Sequence, residues 1–284
     1  MQLKHDFVIE LIISAKFQLY ARISETKRRR KERESIMQIY VRSPKKIVAT
    51  IEKWLADKVS SAGAHGCVVG LSGGIDSALV AVLLRRTFGS NMLGVMMPCH
   101  SLPEDQQDAE KLIDVFSIPS TLVDLSATYD SLVKGLEESS VPLRHIALAN
   151  IKPRLRMTTL YAIAQSKGYL VCGTSNKAEI IAGYFTKHGD SGADIWPLGD
   201  LLKEEVRETS AYLRVPEDII QKPPSAGLWK GQTDENEMGL TYDDIDKYIA
   251  TGNVKESVRQ RIEERYRQSV HKRELPPVCI IPKD

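Results

Sequence analysis

Past residue 42 the apolar positions of this chain follow two alternating patterns. Short, nearly unbroken runs occur at Cys67–Leu71, Met92–Met97, Ser120–Asp124 and Tyr169–Gly173. They have the length and content of buried strands. Between them apolar residues recur at helical spacing: Ile47, Ile51, Trp54, Leu55 and Val59, then Leu79, Val80, Leu83 and Leu84. Two further helical stretches are predicted, from about Pro103 to Val115 and near Ala147–Gln165. Ser43 before Pro44 predicts a helix start, with the serine as cap and the proline at the first helical position. Strands alternating with helices predict an α/β chain whose parallel sheet carries helices on both faces. Ligands bind such sheets beyond the carboxyl ends of the strands, which puts the loops at 72–77, 98–104 and 173–179 on one rim. From Gln221 the pattern fails. QKPPSAGLWKGQTDENEMG (221–239) is too rich in Pro, Gly and polar residues for a helix or strand; a loop of that length is a functional lid or a disordered segment, and it is expected to order over bound ligands. Helices over about Tyr242–Thr251 and Val254–Tyr266 are expected beside it.

Composition narrows the function classes. The 284 residues suffice for one large domain with a full core, placed here at 43–284. A formal net charge of +2 gives no global field for nucleic acid. No apolar run approaches the ~20 residues of a membrane span. Cys67, Cys99, Cys172 and Cys279 form no CxxC pair and no metal-ligand spacing, which fits a reducing, cytoplasmic setting. Residues 1–42 stand apart, with the basic run KRRRKER (Lys27–Arg33) and an apolar patch, Phe7 to Leu19, that lacks a signal-peptide cleavage site. They are expected to be a loosely attached extension, with Met37 as an alternative initiator.

The chemistry concentrates at GLSGGIDS, Gly70 to Ser77. Here a strand gives way to a helix through two adjacent glycines, which let backbone N–H groups approach a ligand. The helix N-terminus behind them offers unpaired donors and partial positive charge, a seat for phosphate. Ser72 and Ser77 add hydroxyls, and Asp76 is placed to hold a cation that bridges phosphates. No Lys-Ser or Lys-Thr follows the glycines, so this is not a Walker A loop. The string is similar to the pyrophosphate loop of N-type ATP pyrophosphatases, which implies cleavage of ATP between its α and β phosphates. GTSNKAE (Gly173–Glu179) follows another strand and offers Glu179 as a second carboxylate on the same rim. NIKPRLRM (Asn150–Met157) offers Arg154 and Arg156 for a phosphate or carboxylate. FTKHGDSGAD (Phe185–Asp194) carries Lys187, Asp190 and Asp194 on a glycine-bearing loop.

Together with PSAGLWKGQTDE and HKR, in this order, these strings make the chain resemble the short, ammonia-dependent NAD+ synthetases across roughly residues 43–284. The resemblance implies a Rossmann-like, adenine nucleotide α-hydrolase-like fold. It places ATP on Gly70, Leu71, Ser72, Gly73, Gly74, Ile75, Asp76 and Ser77, with Thr174, Lys203 and Ser225. It makes Asp76 and Glu179 the Mg2+ ligands, and Arg154, Lys187, Asp194, His271 and Lys272 the deamido-NAD+ contacts. Ser225 stands where many relatives carry Thr and keeps the hydroxyl; Pro153 stands where relatives often have Ala, and is expected to bend or restart its helix.

The implied reaction is amide synthesis in two steps. The nicotinate carboxylate of deamido-NAD+ attacks the α-phosphorus of ATP and expels pyrophosphate; ammonia then displaces AMP from the acyl-adenylate. A carboxylate that takes the ammonium proton would assist, and Asp190 and Asp194 are both candidates. Longer family members carry a glutaminase domain; residues 1–42 are too few for one, so free ammonia is the expected donor. A homodimer with deamido-NAD+ at the subunit interface is implied as well. Against a GMP synthetase or tRNA-thiolating enzyme stand the missing CxxC pair and the PSAGLWKGQTDE string. An RNA-binding module would have to rest on the KRRRKER arm, and a catalytically dead regulator would not keep every phosphate and Mg2+ side chain.

Overall fold

The structure is a computed structural model that describes residues 41–229 and 231–282. The basic amino-terminal run and Met37 lie outside the described residues. Helix α1 (Pro44–Ser61) starts where the Ser43-Pro44 pair predicts, with the proline in its first turn. The Ser43 side chain makes no capping bond; its carbonyl takes the N–H groups of Lys46 and Ile47. Strand β1 (Gly66–Leu71), helix α2 (Ile75–Phe88), strand β2 (Met92–Met96), helix α3 (Pro103–Phe116) and strand β3 (Ser120–Leu122) follow. Helices α4 (Ser126–Glu137), α5 (His145–Ala149) and α6 (Ile151–Lys167) then lead to strand β4 (Tyr169–Cys172).

All strand pairs are parallel, in the order β3-β2-β1-β4. Successive side chains of β1 go to opposite faces. Cys67, Val69 and Leu71 join α1, α2 and Leu112 of α3 in one core; Val68 joins Val95, Leu160, Ala164 and Val171 in the other. The fold is therefore a Rossmann-like α/β sheet covered on both sides. The chain steps from β1 outward to β2 and β3, then returns to lay β4 on the other flank of β1. That reversal opens a crevice at the carboxyl ends of β1 and β4.

Helix α2 is buried over far more than the predicted stripe: Ala81 and Val82 are as inaccessible as Leu79 and Leu83. A helix that is apolar all round belongs in a core, and this one anchors the glycine turn that precedes it. The single helix expected near Ala147–Gln165 is two, because the chain breaks at Asn150. Pro153 then falls in the first turn of α6, where its missing N–H costs no internal bond.

Beyond β4 come helices α7 (Lys177–Ala182), α8 (Lys203–Tyr212) and α9 (Glu217–Gln221). The 221–239 segment is not wholly irregular: Asp234–Met238 forms helix α10, opened by three acidic residues and closed by Gly239 at φ +64°. Helices α11 (Tyr242–Thr251), α12 (Glu256–Gln268) and α13 (Val270–Arg273) complete the described chain. Met238, Leu240, Tyr242, Ile245 and Ile262 pack with Ala178 and Ala182 of α7 into a third apolar cluster. No described helix is long and apolar enough to cross a membrane.

Candidate active site

The crevice between β1 and β4 widens into a cavity of about 900 Å3 lined by residues from both strand ends, from α6, from 183–192, and from 222–229 and 231–234. The turn after β1 is built from its own side chains. Gly73 adopts φ +75°, and a Cβ there would stand 2.3 Å from the Asp105 carbonyl of α3. Only glycine allows that approach together with that backbone. The Ser77 hydroxyl, buried, donates to the Gly74 carbonyl at 2.9 Å and lies 3.0 Å from the Ser72 hydroxyl. Ser72 Oγ accepts the Gly74 N–H at 3.2 Å. Ser77 therefore stiffens the turn, while the N-terminus of α2 opens on the cavity.

The turn after β4 brings the second carboxylate. Asn176 and Glu179 form a capping box at the start of α7: Asn176 Oδ1 accepts from the Glu179 N–H at 3.1 Å, and Glu179 Oε2 accepts from the Asn176 N–H at 3.3 Å. The Asn176 amide also donates to Asp76 Oδ1 at 2.9 Å and to Glu179 Oε1 at 2.7 Å. Lys203 repeats that bridge with charge. Its Nζ lies 2.5 Å from Asp76 Oδ2 and 3.3 Å from Glu179 Oε1, and only 1 % of its side chain is exposed. Burial pulls the ammonium down, but Asp76 and Glu179 more than reverse this and keep it charged. Burial, opposed by Lys203 and reinforced by Asp76, holds the Glu179 carboxyl well above the usual carboxylate range.

A third layer supports the pair. The Tyr242 ring lies 4.6 Å from Lys203 Nζ, and its hydroxyl donates to Asp234 Oδ2 at 2.8 Å and sits 3.3 Å from Glu179 Oε1. Asp246 is buried and accepts the N–H groups of Lys203 and Glu204 at 3.1 and 3.0 Å, fixing the start of α8. Burial outweighs both bonds and raises the Asp246 carboxyl to about 6.

Gly70, Leu71, Ser72, Gly74, Ile75, Asp76, Ser77, Thr174, Glu179, Lys203 and Ser225 all line the cavity, as do Arg154, Lys187, Asp190, His271 and Lys272. Gly73 does not, because it is spent on the approach to α3. Asp194 also lies off the cavity wall, accepting the Val171 N–H at 2.7 Å and the Tyr161 hydroxyl at 3.1 Å. Asp190 lines the cavity, exposed to it, and accepts the Thr186 N–H at 2.7 Å. Lys272 Nζ donates to the carbonyls of Gly183 and Phe185, each at 2.8 Å. Arg154 donates to the Asn150 and Lys187 carbonyls. The alternative, Arg156, is turned toward the Met97 carbonyl and the Ser101 hydroxyl.

Sequence reasoning missed Asn176, Asp234, Tyr242 and Asp246. The Asn-Lys-Ala-Glu spacing of a capping box marks Asn176 in the sequence. The others announce themselves only through contacts across the chain.

A phosphate-type turn, two converging carboxylates and a buried lysine meet at the switch point of a parallel sheet. The NAD synthase family model matches residues 47–276. An NH3-dependent NAD+ synthetase of Carboxydothermus hydrogenoformans is 49 % identical over 229 residues, 80 % of this chain and 94 % of its own length. The corresponding protein of Syntrophomonas wolfei is 46 % identical over 245 residues, 85 % of this chain and 98 % of its own. Among solved structures, NMN synthetase from Francisella tularensis superposes with a TM-score of 0.81 at 39 % identity, covering 84 % of this chain and all of that one. Agreement of this extent, over the same segments that build the cavity, establishes that the chain belongs to the NAD synthase family.

Proposed function

We propose that this protein makes NAD+ by amidating deamido-NAD+ with free ammonia, using ATP and releasing AMP and pyrophosphate. The observation that carries the reading is the meeting of Asp76 and Glu179, from two different strand ends, on Lys203 and Asn176 beside the α2 N-terminus. Hard oxygen donors converge there and an ammonium already bridges them, so the pair fits Mg2+, which takes one or two carboxylates plus substrate phosphates. When bound, the ion would spread charge on the departing pyrophosphate.

The chain's own residues then have distinct tasks. The amides of 72–77 and the α2 N-terminus receive the phosphates, and Lys203, held by Asp76 and Glu179, offsets their charge. Ser225 and Thr174 offer hydroxyls to the nucleotide from the cavity wall. The nicotinate carboxylate attacks the α-phosphorus in line, so catalysis needs positioning rather than a protein nucleophile. Asp190, on the wall, is the better placed acceptor for the ammonium proton; Asp194 is off the wall. Residues 222–229, 231 and 232 line the cavity and exclude water that would hydrolyse the adenylate. A homodimer is part of this reading, supported by apolar Leu132, Val141 and Ile146, exposed on and around α4 and α5.

The test is to supply the protein with ATP, Mg2+, ammonium and deamido-NAD+ and follow NAD+ and AMP. One NAD+ per AMP is expected, with little turnover when glutamine is the sole nitrogen donor. Because the Francisella relative is named for NMN, nicotinate mononucleotide belongs in a parallel arm; preference for it would replace deamido-NAD+ as the substrate. Asp76→Ala should lower turnover about 100- to 1,000-fold while the fold persists. An Asp76→Ala protein of near-normal activity would refute the assignment.

A further inference from the structure

Arg265, on α12, lines the cavity but belongs neither to the expected ligand set nor to the carboxylate cluster. Its Nε donates to the carbonyl of Ala182, the last residue of α7, at 3.2 Å. Its two terminal nitrogens have no hydrogen-bond or ion-pair partner among the described residues. The surroundings make this costly. The guanidinium is half-buried, and burial together with Arg261 lowers its pKa; Glu237 and Tyr184 oppose this only in part. Burial also lowers Lys272, helped by Arg265 and Arg273, while Asp190 and Glu237 oppose this only in part. Glu237 Oε2 accepts from the Tyr184 hydroxyl at 2.8 Å and the Gln232 amide at 2.7 Å, and among the described residues Glu237 makes no ion pair with Arg265 or Lys272. Half-buried cations that repel one another destabilise a fold unless an anion joins them. A guanidinium presents its free edge as a planar fork suited to phosphate or carboxylate.

We propose that Arg265 receives an oxyanion of the substrate other than ATP, with its Nε fixed on α7 so that the free edge of the guanidinium faces the cavity. The inference rests on the reading that a dinucleotide acid occupies this cavity. It makes Arg265 a binding residue rather than a mere clamp on the C-terminus of α7. A clamp would act through Glu179, on the same helix, and its loss would show in ATP and Mg2+ binding.

The experiment measures equilibrium binding of deamido-NAD+, NAD+ and Mg-ATP to wild type, Arg265→Gln and Arg265→Lys, with thermal unfolding as the folding control. Arg265→Gln should weaken deamido-NAD+ binding about 10- to 100-fold, the loss expected for a charged hydrogen bond, and leave Mg-ATP within about twofold. Equal weakening of NAD+, which keeps the phosphates and lacks the carboxylate, assigns the fork to phosphate; a normal NAD+ affinity assigns it to the carboxylate. Should Arg265→Gln fail to fold, Arg265→Lys keeps the charge and loses the fork, and a loss of several-fold confined to the dinucleotide is expected. Unchanged deamido-NAD+ affinity in a folded variant, or an equal loss for Mg-ATP, overturns the inference while the proposed function stands. A wild type that neither binds nor converts deamido-NAD+ overturns both.

Discussion

Removing the ammonium that bridges Asp76 and Glu179 should destabilise the ligand-free protein more as pH rises. Lys203→Met keeps most of the buried stem and deletes the charge. At an effective dielectric near 20, a unit pair at the observed 2.5 Å interacts by about 7 kcal/mol and one at 3.3 Å by about 5. Desolvating the lysine cancels several kcal/mol of this, and breaking a buried pair typically costs about 3–5 kcal/mol net. For a protein of this size that is roughly 10 °C in Tm. The sign with pH follows from the carboxyls left behind. In wild type, burial holds the Glu179 carboxyl up to about 8 even though Lys203 pulls it down. Without Lys203 it rises further, so around and above pH 8 the folded variant binds more protons than folded wild type and loses more stability as pH rises. The deficit should stay nearly constant from about pH 5 to 7 and grow from about pH 7 to 9. Urea unfolding of both proteins across that range, without nucleotide or metal, gives the answer. A deficit below about 1 kcal/mol at pH 8, or one that shrinks with rising pH, would refute the claim that Lys203 neutralises this pair.

Gly73→Ala should destabilise by about 2–4 kcal/mol and weaken ATP binding, since φ +75° is strained for alanine and its methyl meets the Asp105 carbonyl; denaturation and nucleotide titration check it. Asp246, raised to about 6 by burial, favours the folded state when protonated. Its contribution to stability thus declines by about 3 kcal/mol as pH rises from about 4 to 6. Wild type minus Asp246→Asn should show that decline in urea melts and stay flat above pH 7; a flat difference throughout would contradict it.

Much of the site was legible because its parts are local. A strand–glycine–helix joint is written in eight consecutive residues, and the order of strands and helices predicts the parallel sheet on whose rim it sits. Helix α11 has the boundaries its periodicity predicts, Tyr242–Thr251. Other features depend on distant partners. Helix α4 has no buried residue and so no stripe imposed by the core, which is why periodicity did not expose it. Asp246 reads as one acid among several in TYDDIDKY until its oxygens meet the start of α8. Asp194 and Asp190 read alike as two acids on one loop; the difference is that Asp190 lines the cavity whereas Asp194, held by Val171 and Tyr161, does not.

The Asn176 amide reaches Asp76 across 100 residues of intervening chain, on the far side of the crossover that carries β2 and β3. Neither half of the acid pair is organised until that whole excursion has been synthesised and has docked. A ribosome-bound chain halted before β4 would own a nucleotide turn with no counterpart to complete it. Splitting the polypeptide in the exposed 138–142 connection would accordingly yield two inert pieces, whose activity could return only on reassociation.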